Sequence, residues 1–359
     1  MRILLLGEFS GFYTNLKKGL GLLGHDVLLY GDSDGWKKIK GADAPLLNTS
    51  QKNFSRIYNK IIGVVFDKRF FDNFDAVFII DFIWFYPTSL PFFLRKCKKH
   101  NKSVFLTSCG EDYAVYNAYL NKRFDYYVFD GCNHIDYRDR LLWNLYGKIS
   151  YFKHINKYLN GVIPTAYEYQ IGYEKKIHNL QKAIPLPVDS KAIEYKENNF
   201  NDKIIIFHGL NREVEKGTKY IKKAMEIIKS RYADKVEIII EGRLPYDEYV
   251  KVISKTNIII DQCKGYGFGM NAIISMAQGK VVLGGNRAET MAVYGIESSE
   301  CPIVPICPKV DVIVSQLEKI VLNPSLIKEL GEKGRRYVEK YHDCVVVAKQ
   351  YVDIIKKYI

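Results

Sequence analysis

Long apolar runs are missing from this chain, and so are paired cysteines. No run approaches membrane-spanning length, which argues against a transmembrane segment. The opening Met-Arg-Ile-Leu-Leu-Leu-Gly-Glu has too short an apolar core for a secretory signal. The seven cysteines, Cys97, Cys109, Cys132, Cys263, Cys301, Cys307 and Cys344, are scattered and odd in number, with no Cys-x-x-Cys pair. That excludes a disulfide framework and suits free thiols in a reducing cytosol. Acidic residues are scarce: 40 against 53 basic ones, a net charge of +13. Such a balance points to anionic partners, among them nucleic acid, an anionic membrane face or phosphorylated substrates. Zinc-finger spacing and RNA-recognition signatures are absent, so nucleic acid is not the expected partner. No complete G-x-G-x-x-G follows the first strand, which leaves little support for dinucleotide binding there.

What is present is a folded chain with 47% hydrophobic and 14% aromatic residues. At 359 residues it is too long for one ordinary core, and two domains are expected. Arg2 to Leu6 reads as a strand, Leu16, Leu20 and Leu23 as the apolar face of a helix closed by Gly24, and Asp26 to Tyr30 as a second strand. Between them Glu8, Ser10 and Gly11 stand at a strand's carboxyl end, where open α/β sheets bind ligands; they are acceptor-site candidates. Asp32-Ser33-Asp34 resembles a cation-binding pair of carboxylates but, followed by Gly35, reads better as a solvated turn. Further strands are expected at Ala76–Ile80, 103–107, 126–129 and 161–164. Trp84, Phe92 and Phe93 precede Arg95-Lys96-Cys97-Lys98-Lys99-His100. This mixture suits a face resting on anionic lipid, and equally a core helix with a solvated basic end. Glu111 and Asp112 follow the 103–107 strand; they could serve as a catalytic base and an acceptor contact, or simply cap the helix that begins near Tyr113.

Prolines at 185 and 187 and the polar segment from Lys191 to Asp202 mark the boundary, giving domains 1–195 and 196–359. The second half restarts the alternation. A strand at 203–207 leads into the loop His208-Gly209-Leu210-Asn211-Arg212-Glu213-Val214-Glu215-Lys216-Gly217, and a second strand ends in Glu241-Gly242-Arg243. The stretch around which the chain is organised runs from Asn257 to Gly285: strand, glycine loop (Gly265, Gly267, Gly269), the helix Met270 to Gln278, and a further strand. A glycine loop feeding a helix N-terminus presents N–H groups and the positive end of the helix dipole, an arrangement suited to phosphate. It can also be a tight turn with no ligand.

Several pieces together carry a resemblance: Glu215-Lys216-Gly217, Gly267-Phe268-Gly269, Met276-Ala277-Gln278-Gly279-Lys280-Val281-Val282, Gly284-Gly285 with Glu289, and Tyr341-His342. They resemble the donor domain of GT-B-fold glycosyltransferases of the large retaining class, which includes glycogen synthases and bacterial O-antigen and capsule enzymes. The resemblance implies an α/β protein of two Rossmann-like parallel-sheet domains facing across a cleft. An N-terminal domain would bind the acceptor, a C-terminal domain the donor, and the last helix would cross back to the first. It implies sugar transfer from a nucleotide-diphosphate sugar to a cell-surface glycan or lipid-linked acceptor, retaining and without metal or other cofactor. The enzyme would be cytoplasmic, or peripheral on the inner membrane face. Lys216 and Arg212 would carry catalysis by stabilising the leaving diphosphate, although Asn211 falls on the family's ungapped arginine position. His208, Gly209, Asn211, Glu241, Arg243, Tyr266, Gly267, Phe268, Gly269, Met270, Asn271 and Glu289 would line the donor site. Where the family carries two glutamates, before Gly-Phe-Gly and before the Ala-Met-Ala run, this chain has Tyr266 and Ile274. Glu241, Arg243 and Asp261 are candidates to replace them. The other function compatible with these departures is a non-catalytic GT-B-like protein that binds nucleotide or glycan beside an active enzyme.

Overall fold

The computed structural model describes residues 1–31, 40–46, 63–83, 85–131, 143–147, 150–242 and 246–359. The chain divides into two compact units. The first comprises Met1–Arg123, His134–Asp189 and Asp343–Ile359; the second comprises Phe124–Asn133 and Ser190–His342.

The first unit opens with β1 (Arg2–Leu6), α1 (Phe12–Leu22) and β2 (Asp26–Tyr30). There follow β3 (Ala76–Ile79), α2 (Leu90–His100), β4 (Ser103–Ser108), α3 (Tyr113–Leu120), α4 (Tyr151–Tyr158), β5 (Gly161–Pro164) and α5 (Tyr167–Ile171). All strand pairs are parallel, in the order β2-β1-β3-β4-β5. β3 and β4 are buried at every position, as strands covered by helices on both faces must be. Helix α1 turns Phe12, Leu16 and Leu20 inward.

The second unit contains β6 (Ile204–Gly209), α6 (Glu213–Lys216), α7 (Thr218–Arg231), β7 (Val236–Glu241), α8 (Tyr246–Lys255), β8 (Ile258–Ile260), α9 (Met270–Ala277), β9 (Val281–Gly284), α10 (Ala288–Tyr294), β10 (Val304–Pro305), α11 (Val310–Leu322) and α12 (Ser325–Tyr341). Its parallel order is β10-β9-β8-β6-β7. Read outward from its first strand this is the order of the first unit again. In both, the connection reverses direction beside the first strand, and crevices at such points receive ligands. The core joins Ile206, Ile258 and Leu283 of the sheet to Ile221 and Met225 of α7 and to Ile313 and Leu317 of α11.

The last helix, α13 (Cys344–Ile355), returns to the first unit and lies on α1. A Cβ at Gly19 would sit 2.1 Å from the Cys344 carbonyl oxygen, so only glycine permits this approach. Tyr351 of α13 meets the Phe78 ring edge-on at 5.3 Å, covering the sheet.

The sequence pattern misread 126–129. No strand forms there: the residues lie in turns within the second unit. Their aromatic run is packed side-chain to side-chain, with Phe124 stacked on Tyr127 at 4.4 Å, rather than paired through backbone. Asp32-Ser33-Asp34, Trp84 and Arg243 lie outside the described residues.

Candidate functional site

In the second unit the site is built where β6 and β8 end. His208, the penultimate residue of β6, is fully buried. Its Nδ1 lies 2.7 Å from the Ile260 carbonyl and its Nε2 2.9 Å from Thr218 Oγ1. The carbonyl can only accept, so Nδ1 carries the proton and Nε2 accepts from the threonine. Burial lowers the imidazole pKa to about 4, so the ring is neutral. His208 thus fastens β6 to the end of β8 and to the start of α7.

Past β6 the chain turns sharply. Asn211 and Arg212 are exposed, and Arg212 takes a left-handed backbone (φ 51°) ahead of α6. Lys216 closes α6 and is followed by Gly217 at φ 75°. A Cβ on Gly217 would lie 2.4 Å from Cys263 Sγ, so glycine is required for space as well as for φ. The Cys263 N–H donates to the Lys216 carbonyl at 3.0 Å, tying this loop to the one after β8.

Lys216 Nζ donates to Asp261 Oδ1 at 3.0 Å, with side-chain exposures of 13% and 5%. Asn271, in the first turn of α9, donates to the same Oδ1 at 3.2 Å. Burial alone would raise the Asp261 pKa, but Lys216 and these hydrogen bonds pull it below the ordinary value, and the group is ionised. Glu213 and Glu215 lie in the same short helix, yet Lys216 pairs with Asp261 instead, because α6 directs the side chain toward the β8 end.

Gly265 to Gly269 lead into α9, whose first N–H groups lie outside the helix's own bonding. Gly267 accepts from Gln262 Nε2 at 3.1 Å; Phe268 packs on His342 at 5.7 Å; Gly269 is extended at the helix N-cap; and Met270 is buried. Gly209 pairs with Glu241 across β6 and β7, and the Glu241 side chain is exposed. Ile274, on α9, is exposed.

Tyr266 is engaged elsewhere. It is buried, and its hydroxyl accepts from the Asp125 N–H at 2.7 Å. The Arg287 guanidinium lies over its ring at 4.5 Å and pairs with Asp125 at 2.9 Å and Glu289 at 2.8 Å. Lys264, also buried, donates to the Asp130 carbonyl. Residues 124–130 therefore form a strap across the glycine loop, and Glu289 belongs to the clasp that holds it. The sequence held no signal for this strap beyond its aromatic density.

In the first unit the loop after β1 is internally committed. The Glu8 carboxylate accepts from the Tyr13 N–H (3.3 Å), the Thr14 N–H (2.8 Å) and Thr14 Oγ1 (2.7 Å), capping α1. Ser10 and Gly11 both take left-handed backbones to make that turn. Asp112 caps α3 through the Val115 N–H at 3.0 Å and also accepts from Tyr173 and, at 3.4 Å, Tyr151. Asp81, just past β3, was not foreseen; its only sequence signal is a carboxylate at a strand's end. With Glu111, Asp112, Trp143 and Tyr146 it lines a small hollow. Burial, then the neighbouring Asp112 charge, raises the Asp81 pKa; burial raises Asp112 as well, but its hydroxyl and amide donors hold it below Asp81.

Comparison with known proteins gives no matching family model and no matching curated protein. Among solved structures, the chain is similar to a sucrose-phosphate synthase from Thermosynechococcus elongatus, at 15% identity over 99% of both chains with a TM-score of 0.66. It is similar to Anabaena HepE, solved in complex with UDP and glucose, at 9% identity over 99% of both chains with a TM-score of 0.65. A UDP-GlcNAc 2-epimerase from Neisseria meningitidis, bound to UDP-GlcNAc, matches at 13% identity over 99% of this chain and 100% of its own, with a TM-score of 0.54. At such identities likeness speaks for the fold and not the reaction. Two parallel five-stranded α/β units of the same strand order, aligned along almost the whole chain, give this protein the GT-B fold.

Proposed function

We propose that this protein is a glycosyltransferase that moves a sugar from a nucleotide-diphosphate sugar to a cell-surface glycan or lipid-linked acceptor. The observation that supports it most is Lys216 held at the common end of β6 and β8, beside the glycine loop and the start of α9. As the glycosidic C–O bond breaks, negative charge grows on the departing diphosphate. A preorganised ammonium and helix-start N–H groups stabilise that charge without a metal. Arg212, exposed in the same turn, adds a second cation. Retention of configuration at the sugar carbon follows only from the sequence resemblance. In the first unit Asp81, Glu111 and Asp112 line the hollow, which supports it as a place for an acceptor hydroxyl. No helix among the described residues is long and apolar enough to cross a membrane. Phe92 is exposed in the first turn of α2, Phe66 is exposed beneath Lys96, and basic residues close the helix, which supports a resting place on anionic lipid.

The alternative, a non-catalytic nucleotide- or glycan-binding partner, is favoured by Tyr266, whose hydroxyl is spent on the strap, and by the apolar Ile274 on α9. Release of nucleoside diphosphate from a panel of nucleotide sugars, with and without glycan acceptors, separates the two. Acceptor-dependent release supports the transferase. Saturable binding without release from any donor would leave the binding partner.

A further inference from the structure

The hydrogen-bond inventory around Asp261 is lopsided. Both donors that reach it, Lys216 Nζ at 3.0 Å and Asn271 Nδ2 at 3.2 Å, fall on Oδ1. Oδ2 receives no hydrogen bond from the described residues. The residue is only 4% exposed, yet Oδ2 is not among the fully enclosed polar atoms that lack a partner, so that oxygen is the part of the carboxylate an incoming donor can reach. Lys216 is the mirror case. One ammonium hydrogen goes to Asp261, and no second acceptor for Nζ occurs among the described residues. The pair therefore presents one accepting oxygen and further donating hydrogens side by side, at the crevice formed by the ends of β6 and β8. An ionised carboxylate accepts only, so the matching ligand atom must bear a hydrogen. A cationic amine is disfavoured there by the adjacent ammonium, which leaves a neutral donor, and on a phosphorylated sugar or nucleotide the donors nearest the phosphate are the sugar hydroxyls. The donating ammonium in turn calls for an anionic oxygen a short distance from that hydroxyl.

We propose that Asp261 is a specificity-determining residue of the donor site, with Oδ1 fixing Lys216 and Oδ2 receiving a hydroxyl of the same phosphorylated sugar or nucleotide whose phosphate Lys216 takes. The assignment rests on the donor site proposed above. It makes the site a reader of a polyhydroxylated phosphate ester, and not of phosphate charge alone. Asp261→Asn keeps the shape and can still accept at Oδ1, while its amide brings hydrogens toward the ligand hydroxyl in place of an anionic acceptor.

The test is calorimetric binding of three probes to the wild type, Asp261→Asn and Asp261→Ser: inorganic pyrophosphate, UDP and UDP-glucose. Pyrophosphate has no hydroxyl, UDP has the ribose hydroxyls, and UDP-glucose has those of the sugar as well. The expected result is a loss of about tenfold or more for UDP or UDP-glucose in both variants, the scale of a charge-assisted hydrogen bond. Pyrophosphate binding should be unchanged or tighter, since a neighbouring negative charge has been removed. Loss for UDP itself places the hydroxyl on ribose; loss for UDP-glucose alone places it on the sugar. Equal loss for all three probes would reduce Asp261 to a holder of Lys216 and overturn the assignment, as would equal gain. If the wild type binds none of the three, nor GDP- or dTDP-linked sugars tried beside them, the donor site itself is wrong and the assignment falls with it.

Discussion

At the scale of single residues, Lys216 joins activity to stability. As an exposed lysine it would be almost neutral to folding, but the pair with Asp261 is nearly shut away from water. Removing one member of such a pair leaves the other buried without its counter-charge, at a cost of about 3 kcal/mol. Lys216→Ala is therefore expected to lower turnover at least about a hundredfold and also to lower the melting temperature. The double variant Lys216→Ala/Asp261→Asn should recover much of the melting temperature and none of the turnover. A single variant that melts like the wild type would mean the pair is open to solvent. Two buried titratable groups give opposite pH dependences. The His208 pKa falls from 6.5 to about 4 on folding, so the unfolded chain binds the extra proton and stability is lost as pH drops through that interval. The Asp81 pKa rises from 3.8 to about 8, so its stabilising protonated form is lost as pH climbs through that range. Asp81→Asn, which can still accept from the Ile83 N–H, should then melt above the wild type at pH 8 and by a clearly smaller margin at pH 5. An equal difference at both pH values would deny the buried neutral carboxyl. Lys216 was legible in the sequence because it sits in a loop between strand and helix with Gly217 behind it. Its partner was not, since 45 residues separate the two and only the β6–β8 pairing brings them together.

At the scale of elements, the strap at 124–130 has its clasp in Arg287. Two carboxylates and two aromatic rings converge on that guanidinium. Arg287→Ala removes them together, and cation–π contacts alone are worth about 0.5–2 kcal/mol. The expected outcome is faster hydrogen exchange and easier proteolysis at 124–130, with the sheet of the second unit still protected. Unchanged exchange there would show that Lys264 and the aromatic stack suffice. Sequence pattern could not separate this strap from a strand, because both are short aromatic runs bounded by turns. Helix α2 is the converse case, where the aromatics divided as an amphipathic helix requires. Phe93 stacks on Phe85 in the core at 4.4 Å, while Phe92 is 64% exposed. Vesicles containing anionic lipid should bind the protein and lose it as salt is raised. Phe92→Ser and Lys98→Glu should each weaken that binding. Equal binding to neutral vesicles would assign the helix to the core alone.

At the scale of the whole molecule, what the sequence carried best was periodicity: nearly every strand and helix follows from β-branched runs and apolar stripes, because the central strands of both sheets are buried on both faces. The identical order of the two sheets was not legible, since order depends on which crossover passes which face. A nucleotide sugar supplied at a hundred times its dissociation constant should add about 2.7 kcal/mol to stability, and a thermal-shift panel therefore identifies the donor before any acceptor is known. No shift from any nucleotide sugar would count against the transferase and against a nucleotide-binding partner, leaving only a glycan binder. The seating of α13 on α1 has one more consequence, and it concerns synthesis. Residues 343–359 leave the ribosome after the whole of the second unit, yet the first unit cannot cover α1 without them. The amino-terminal unit must wait, incomplete, while its successor folds. For that interval the groove at Gly19 and Leu20 is an exposed sticky surface, and nascent chains stalled before Asp343 should be held by chaperones where released ones are not.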